Sequence, residues 1–334
     1  MNTMSEAGIV PAMPNSTDPS TATESWLDTL DDHAAEHGFH VRLGARHGVL
    51  YTEDDESLLL VSFENAPAIR MDDPALPYGL KVAGKEGWSQ LTFYSEGTTW
   101  FRDPDVYSFV DDLVDDGFFD LFDNVFFYGV GAEGYAACAY SVAAPGARVL
   151  AVRPHATQDP RRAGWDKRFP GARRLSFDDR YGDAPALLEA ADQAILVYDP
   201  METEDAMHAA LLGRNALHLR TPHLGPDPER QLDDLNALER IVRLAARGKL
   251  DAPAFARFWR RRRQSSAYQR RVLAHLRQAE RPYLQALWCR AALRQAEKPR
   301  LRRGLEDALA ALDAAGKELP PEPPAPPRLE SAAG

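Results

Sequence analysis

The sequence has little cysteine and no long hydrophobic run. Its 334 residues include two cysteines, which are too few for a disulfide framework or a cysteine zinc site. No window approaches the ~20 apolar residues of a membrane-spanning helix. The N-terminal stretch lacks the basic start and apolar core of a signal peptide. These absences argue against a disulfide-stapled or membrane-embedded protein, and we predict a cytoplasmic one.

Acidic residues outnumber basic ones, but the two signs are spread unevenly along the chain. The formal net charge is −11, whereas residues 251–303 carry 15 Arg and Lys against 3 Asp and Glu. Such a basic segment could bind nucleic acid. However, Phe255, Phe258 and Trp259 interleave with the arginines at helical spacing, so these aromatics should dock on the protein core. No nucleic-acid motif accompanies them, and we do not expect a nucleic-acid partner.

Composition and periodicity divide the chain into four segments. Residues 1–24 are rich in Ser, Thr, Pro and Asn, and we predict that they are disordered. Residues 25–232 form the predicted α/β core. Residues 233–318 form a helical extension that we expect to pack on the core. Residues 319–334 form a Pro-rich tail, predicted to be disordered.

Short apolar runs alternate with helical patterns in the predicted core. The runs are FHVRL (39–43), GVLYT (48–52), SLLLVSF (57–63), SQLTFY (89–94), NVFFYG (124–129), ARVLAV (147–152), AILVY (194–198) and ALHLR (216–220). Several runs are continuously apolar, as expected of strands covered on both faces. The alternation predicts an α/β fold with a mostly parallel sheet. The closely spaced first runs indicate antiparallel strands at the N-terminal side.

The C-terminal extension contains helical patterns and no strand signal. These patterns cover residues 233–247, 252–263, 267–279, 283–297 and 301–315. Proline stands at positions that begin or separate these helices, where its missing N–H is tolerated.

The most informative stretch is a glycine-rich turn between two apolar strands, VFFYGVGAEGYAACAYSVAAPGARVLAV (125–152). Gly129, Gly131 and Gly134 spell G-x-G-x-x-G between a strand and a helix, the spacing of a dinucleotide-binding turn. A pyrophosphate would bind the helix N-terminus, and Arg153 after the next strand would suit the 2′-phosphate of NADP. An NAD(P)-binding oxidoreductase is therefore one alternative.

The same turn resembles the nucleophile elbow of the α/β-hydrolase-like family. YGVGAEGYAA (128–137) is similar to the pattern Y-G-x-S-x-G-G-Y-x-A, with the serine position on Gly131 and the second elbow glycine on Glu133. The R-P-H at 153–155 and the W-D-K-R-F at 165–169 continue the resemblance. The resemblance implies a mostly parallel sheet of the α/β-hydrolase type.

The resemblance also implies roles for individual residues. The acid of the triad would be Asp199 or Asp205, and the histidine would be His223, in the chain order of α/β hydrolases. The oxyanion hole would use the backbone amide of Ala132 and one near Glu64-Asn65, after strand 57–63.

Gly131 has no side chain, so nucleophilic catalysis by serine is impossible at that position. We therefore predict a non-catalytic protein that binds a small ligand or a protein partner. The alternative is an enzyme that acts through Glu133, Asp205 and His223 on a bound water or nucleotide in the same crevice. We predict no resident cofactor and no metal.

Two further residues lie where ligands bind in open α/β sheets. Arg153 and His155 follow a strand at its carboxyl end, the edge at which such crevices form. They could bind an anionic ligand, but an ion pair with Asp159 or Asp166 is the interpretation that we favour.

Simpler structural roles stay open for the other candidates. Asp199 could cap the helix that begins near Thr203. His223 could be a loop histidine bonded to backbone. Glu133 could be a solvent-facing acid in the first turn of a helix, where the dipole favours it.

A last alternative is phosphoadenosine phosphosulfate reductase, a description given to some bacterial chains of this kind. That chemistry needs a phosphate-cradling Ser-Gly-Gly loop and a reactive cysteine in a flexible Cys-Gly segment. Neither is present, because Cys289 lies in the apolar helical pattern LWCRAAL. We do not expect this activity.

Overall fold

The eight predicted strands are all present. The computed structural model describes residues 19–321, and its strands are β1 (Gly38–Leu43), β2 (His47–Thr52), β3 (Leu59–Asn65), β4 (Ser89–Ser95), β5 (Val125–Val130), β6 (Arg148–Val152), β7 (Gln193–Tyr198) and β8 (Leu217–Arg220). The chain divides into two compact units after Ala194, within β7. This division falls earlier than the boundary expected after residue 232.

The described residues also contain fourteen α-helices, joined by several short 3-10 turns. The helices of the first unit are α1 (Pro19–Ala34), α2 (Ala66–Arg70), α3 (Tyr78–Glu86), α4 (Pro104–Asp115), α5 (Ala132–Tyr140), α6 (Pro160–Ala163) and α7 (Ala184–Leu187). Those of the second unit are α8 (Thr203–Leu211), α9 (Pro228–Asp234), α10 (Leu238–Ala246), α11 (Ala252–Trp259), α12 (Ser266–Gln278), α13 (Pro282–Leu293) and α14 (Pro299–Ala314). None of these helices has the length and apolar character needed to cross a bilayer.

The strands of the first unit are arranged in the order β1-β2-β4-β3-β5-β6. β1 pairs with β2, and β2 with β4, in antiparallel fashion. β3 pairs in parallel with both β4 and β5, and β5 pairs in parallel with β6. The prediction of a mostly parallel sheet with antiparallel N-terminal strands is therefore confirmed.

Aromatic side chains fill the core between the sheet and its helices. Phe63 on β3 stacks on Phe93 of β4, with ring centroids 5.1 Å apart. Phe63 also contacts Phe101 at 4.9 Å and Tyr140 of α5 at 5.3 Å. Buried aromatic pairs contribute stability beyond the area that they bury. They fix α5 and the segment after β4 against the centre of the sheet.

The N-terminal side differs most from the expectation. Helix α1 begins at Pro19, so the predicted disorder over 1–24 is wrong for its last residues, and residues 1–18 lie outside the described part. Trp26 of α1 packs on Tyr94 at 5.2 Å and donates its indole N–H to the carbonyl of Ala75 (2.8 Å). This helix is therefore part of the folded unit.

The second unit combines the parallel pair β7 and β8 with the helices α8 to α14. The four consecutive arginines of the basic segment follow α11 and lie in a 3-10 turn at Arg260–Gln264. Phe255 and Trp259 are buried, as expected of docking aromatics. The Arg262 guanidinium lies over the rings of Trp259 and Tyr268 (4.5 and 5.4 Å). Part of the positive charge is thus used in cation–π contacts within this unit.

The start of the Pro-rich tail is docked rather than free. Leu319 packs against a small cluster that includes Ala286 and Leu312. The predicted disorder of 319–334 therefore does not hold for its first residue, and 322–334 lie outside the described part.

Candidate functional site

The turn between β5 and α5 has the conformation that the glycine spacing requires. Gly131 is its single hinge residue, with φ 64° and ψ −119°, a backbone conformation that favours glycine. Its N–H donates to the carbonyl of Val152 (2.9 Å), and its carbonyl accepts from the N–H groups of Tyr135 (3.1 Å) and His155 (3.2 Å). The sharp strand-to-helix turn is thus fixed to the end of β6.

The two flanking glycines have packing roles. A Cβ on Gly129 would lie 2.2 Å from the backbone oxygen of Glu133, and a Cβ on Gly134 would lie 3.2 Å from the backbone oxygen of Gly129. Both positions therefore let α5 lie directly against β5. Helix–strand packing and the turn at Gly131 account for all three glycines without a pyrophosphate, so the dinucleotide alternative gains no support from the spacing.

The space next to Gly131 is open enough for a side chain. A Cβ there would lie 3.6 Å from Arg153 Nη2, 3.9 Å from Glu133 Oε2 and 4.0 Å from His155 Cε1, which are ordinary contact distances. Four of the predicted site residues therefore converge at one point. Gly131 itself presents only hydrogen atoms at this point.

The predicted oxyanion residues lie at the same edge of the sheet. Ser62 pairs with Tyr128 across β3 and β5, so Asn65 and Gly131 each stand three residues beyond a paired position. Ala132 is the first residue of α5. The Asn65 side chain is used elsewhere, because it caps α2 by accepting the N–H of Ala68 (3.3 Å). An oxyanion contribution from residue 65 is thus restricted to its backbone.

The sequence pointed to Glu64 only as a possible backbone amide of the oxyanion hole, and the role of its carboxylate was not predicted. Glu64 is buried, and its carboxylate accepts the N–H groups of Tyr78 and Gly79 (2.7 Å each) and the hydroxyl of Ser62 (2.8 Å). Burial raises the pKa of Glu64 above its usual range, while the three hydrogen bonds favour the charged form. Glu64 therefore holds the N-terminus of α3 beside the end of β3. The only feature of the sequence that pointed to this role was an acid directly after an apolar run.

Arg153 and His155 stand after β6, as predicted. Arg153 has a φ of 50°, so the chain turns sharply as it leaves the strand. His155 is buried, and its ring lies 4.9 Å from the ring of Phe169 and 6.2 Å from that of Trp100. Trp100 was not identified from the sequence, and Phe169 entered only as part of the W-D-K-R-F stretch, without a role. Asp159 binds Arg161 through several hydrogen bonds, which accounts for that acid.

In the second unit, Asp199 organises backbone. Its carboxylate accepts the N–H groups of Met201 (2.9 Å), His223 (3.2 Å) and Gly225 (2.6 Å). It does not cap α8, whose N-cap residue is Glu202, so that expectation is wrong. Asp199 therefore ties the turn after β7 to the loop after β8.

The environment of His223 is set by its own unit. Its φ is 66°, and its ring lies 4.9 Å from the ring of His275 on α12. Burial lowers the pKa of His223, His275 lowers it further, and Asp199 opposes the shift. Asp199 accepts the backbone N–H of His223 and favours the charged form of its imidazole. Asp205 lies in the first turn of α8 and is buried.

The two cysteines are inert rather than reactive. Cys138 on α5 and Cys289 on α13 are both fully buried free thiols. Burial raises the pKa of Cys138 far above its usual range and that of Cys289 to about 11. Since the thiolate is the reactive form, neither position suits a catalytic cysteine. Within residues 19–321, no cluster of three potential metal ligands occurs.

Comparisons with known proteins give structural likeness only. No family model and no curated protein matches the chain. A carboxylesterase from a metagenomic library, EstE1, is 11% identical with a TM-score of 0.39, and the match covers 70% of this chain and 97% of that one. An esterase from Pyrobaculum calidifontis is 16% identical with a TM-score of 0.40, covering 70% and 95%. A capsule O-acetyltransferase of Neisseria meningitidis serogroup A is 12% identical with a TM-score of 0.38, covering 60% and 93%.

These scores are too low to carry an argument about activity. The fold rests on the strand order, the parallel pairing and the turn at Gly131. The chain has a mostly parallel α/β sheet of the α/β-hydrolase type, with glycine at the hinge between β5 and α5.

Proposed function

We propose that this chain is an α/β-hydrolase-like protein that binds a small ligand or a protein partner without serine-type catalysis. The observation that carries the proposal is Gly131. It stands at the serine position of the elbow pattern, in the strand-to-helix turn, with room for a Cβ at ordinary contact distances from its neighbours. Loss of the nucleophile from a triad leaves only a small acceleration from oxyanion donors and binding.

The surroundings of Gly131 support binding. Arg153, Glu133 and His155 bring a cation, an anion and an imidazole to within 4.0 Å of the point where a Cβ would lie. A ligand group smaller than a side chain could use the same space. We expect this binding to take place in the cytoplasm and not to involve nucleic acid, as predicted from the sequence.

One alternative also has a specific observation behind it. Glu133 Oε2 lies 3.9 Å from the missing Cβ position, close enough to act on a water held there. In this alternative, Glu133 acts as the general base, with Asp205 and His223 assisting.

Hydrolysis of p-nitrophenyl acetate and labelling by a fluorophosphonate separate the two. The wild type and Gly131→Ala, the matched control without a hydroxyl, should show no turnover above buffer and no labelling. Gly131→Ser should become labelled, because it restores a hydroxyl at the hinge. Wild-type turnover that Glu133→Gln or His223→Ala lowers by tenfold or more would overturn the proposal and support the water-based enzyme.

The NAD(P) alternative has its own test. Millimolar NADP⁺ should leave the melting temperature of the wild type unchanged, since a ligand that binds the native state raises it. A saturable increase that Arg153→Ala removes would establish a dinucleotide site instead.

A further inference from the structure

A cleft of about 390 Å³ lies in the first unit, beside the segment that follows β4. We call it the Trp100 cleft; its lining includes Arg46, His47, Thr98, Trp100, Asp103 and Phe169. Its volume falls in the range of small-molecule sites. None of these residues belongs to the elbow, so the cleft needs an explanation of its own.

The backbone along the cleft is strained. Trp100 and Phe101 have φ values of 53° and 54°, a region that residues with side chains rarely adopt. The surroundings enforce this conformation: the hydroxyl of Tyr140 donates to the Phe101 carbonyl (2.6 Å), and the Phe101 N–H donates to the hydroxyl oxygen of Thr99 (3.1 Å). Strain of this kind persists at ligand clamps and switch segments.

Two buried nitrogens of the cleft lack hydrogen bonds to the described residues. They are the indole Nε1 of Trp100 and the imidazole Nδ1 of His47, on side chains that are 3% and 2% exposed as residues. An indole N–H can only donate, so its satisfaction requires an acceptor. Such groups are rare in folded proteins, and each calls for an explanation.

His47 presents a second donor. Its Nε2 lies 2.8 Å from the Thr99 hydroxyl, whose oxygen already accepts the Phe101 N–H. If the hydroxyl donates to Nε2, the proton of the neutral ring resides on Nδ1, which lies 3.6 Å from Asp103 Oδ2. Burial lowers the pKa of His47, which favours the neutral ring.

The charged residues of the lining are Arg46, Arg102 and Asp103. Arg46 donates to the Glu96 carbonyl (2.9 Å), and Arg102 uses its guanidinium to bind the backbone of residues 176–181. Asp103 is the one acid in the lining, and its Oδ1 accepts the N–H of Asp105 at the start of α4. A lining of this kind suits a ligand that is rich in acceptors.

The apolar part of the cleft is aromatic. The ring of Phe169 meets that of Trp100 edge to face at 5.1 Å and lies 4.9 Å from the ring of His155. His155 in turn lies 4.0 Å from the missing Cβ position of Gly131. The aromatic wall thus leads from the cleft towards the elbow.

We propose that the Trp100 cleft binds small organic carboxylates, with the apolar part of the ligand on Trp100 and Phe169 and its carboxylate accepting from Trp100 Nε1 and His47 Nδ1. Both nitrogens are inaccessible to solvent, so binding requires a small shift of the strained segment 98–103. This proposal rests on the proposed ligand-binding function and gives it a site and a ligand class.

The test uses the full chain labelled with ¹⁵N, titrated with phenylacetate and, as the neutral control, with 2-phenylethanol. The six tryptophans give separate indole N–H signals, and the Trp100 signal is the one that disappears in Trp100→Phe. Millimolar phenylacetate should move this signal downfield in a saturable way, as expected when an indole N–H gains an acceptor. The neutral alcohol should leave it in place.

Variants locate the site. Trp100→Phe and His47→Gln should each weaken phenylacetate binding at least fivefold, and Asp103→Asn should strengthen it by removing a like charge. Trp26→Phe is the matched control, because its indole already binds the Ala75 carbonyl, and it should leave the affinity unchanged. His47→Gln serves as the second variant if Trp100→Phe fails to fold.

Three results would overturn this proposal. They are an unmoved Trp100 signal, equal shifts with the neutral alcohol, and equal weakening by Trp26→Phe. If phenylacetate raises the melting temperature while the Trp100 signal stays in place, the ligand-binding function stands and the Trp100 cleft is the wrong site. Turnover by the wild type in the ester assay would instead overturn the proposed function and leave the cleft result intact.

Discussion

Two turns of the first unit use the same left-handed region of the backbone in opposite ways. At the hinge between β5 and α5, the residue with φ 64° is Gly131, which adopts it without steric cost. After β4, the residues with φ near 54° are Trp100 and Phe101, for which the conformation costs about 1–3 kcal/mol each. Backbone strain is absent at the glycine between β5 and α5 and present where large side chains line a cleft.

The two turns differ in how much backbone strain they add to the folded state. A serine at Gly131 would be held in a strained conformation, and glycine removes that cost together with the hydroxyl. Along the Trp100 cleft the cost remains, and Tyr140, Thr99 and Arg102 hold the segment in place. We therefore expect substitutions in the two turns to have different effects on the free energy of unfolding.

The largest effect is expected at Arg102, the main anchor of the strained segment. Its side chain is 1% exposed and donates to the carbonyls of Ser176, Arg180 and Tyr181 as well as to Asp179. Arg102→Met leaves these acceptors without a partner and should lower the free energy of unfolding by about 4 kcal/mol.

Urea denaturation measures this loss. The control is Arg180→Met, since the Arg180 side chain is 61% exposed in its pair with Asp111 and should cost under about 1 kcal/mol. Equal losses in the two variants would show that the segment does not depend on its buried anchor.

A second pair of variants compares glycines within the elbow. Gly129→Ala places a Cβ 2.2 Å from the backbone oxygen of Glu133 and should cost about 3 kcal/mol, because strand and helix must separate. Gly131→Ala meets only ordinary contacts and should cost about 1.5 kcal/mol, from backbone strain alone. Chemical denaturation measures both free energies of unfolding. A larger loss for Gly131→Ala would mean that Arg153, Glu133 and His155 already fill the space beside Gly131.

A third pair compares two indole groups. Trp26→Phe leaves the Ala75 carbonyl without its donor and should cost about 1.5 kcal/mol. Trp100→Phe removes a donor that has no acceptor among the described residues, so it loses packing alone and should cost about 0.5 kcal/mol less than Trp26→Phe. Equilibrium unfolding of both variants without ligand measures this difference, and a loss for Trp100→Phe that equals or exceeds the loss for Trp26→Phe would show that its indole N–H is satisfied.

The smallest effect concerns pH. Burial lowers the pKa of His47 below 6.5, so the unfolded chain binds more protons than the folded chain between the two pKa values. The contribution of His47 to stability is therefore present above pH 6.5 and is lost as the pH falls through 6.5 towards the folded-state pKa. His47→Gln should flatten the pH dependence of the melting temperature in this window. The slope that remains should include His223, whose pKa burial lowers in the same direction.

Much of the fold could be predicted from the sequence because the strands are short, continuous apolar runs. All eight coincide with observed strands. The helices before β4 were not predicted: α2 has five residues, and α3 contains two glycines that read as loop. Tertiary packing on β3 and β4, rather than local propensity, holds them in place.

The candidate site divides in the same way. Gly131, Glu133, Arg153 and His155 could be proposed as site residues because strand ends and glycine spacing leave a signal in the sequence. Trp100 and its cleft were not, since tryptophan followed by phenylalanine gives no hint of a positive φ. An unsatisfied indole N–H depends on neighbours that are distant along the chain, and only the folded structure brings them together.

Each compact unit contains one buried thiol whose rate of alkylation reports how often that unit opens. Cys138 lies in the helix that packs on the central strand of the first unit, and Cys289 lies in a helix of the second. Because alkylation needs an exposed thiolate, each cysteine reacts only when its surroundings open. Mass spectrometry of one alkylated sample therefore gives two opening rates at once, and unequal rates would identify the unit that yields first.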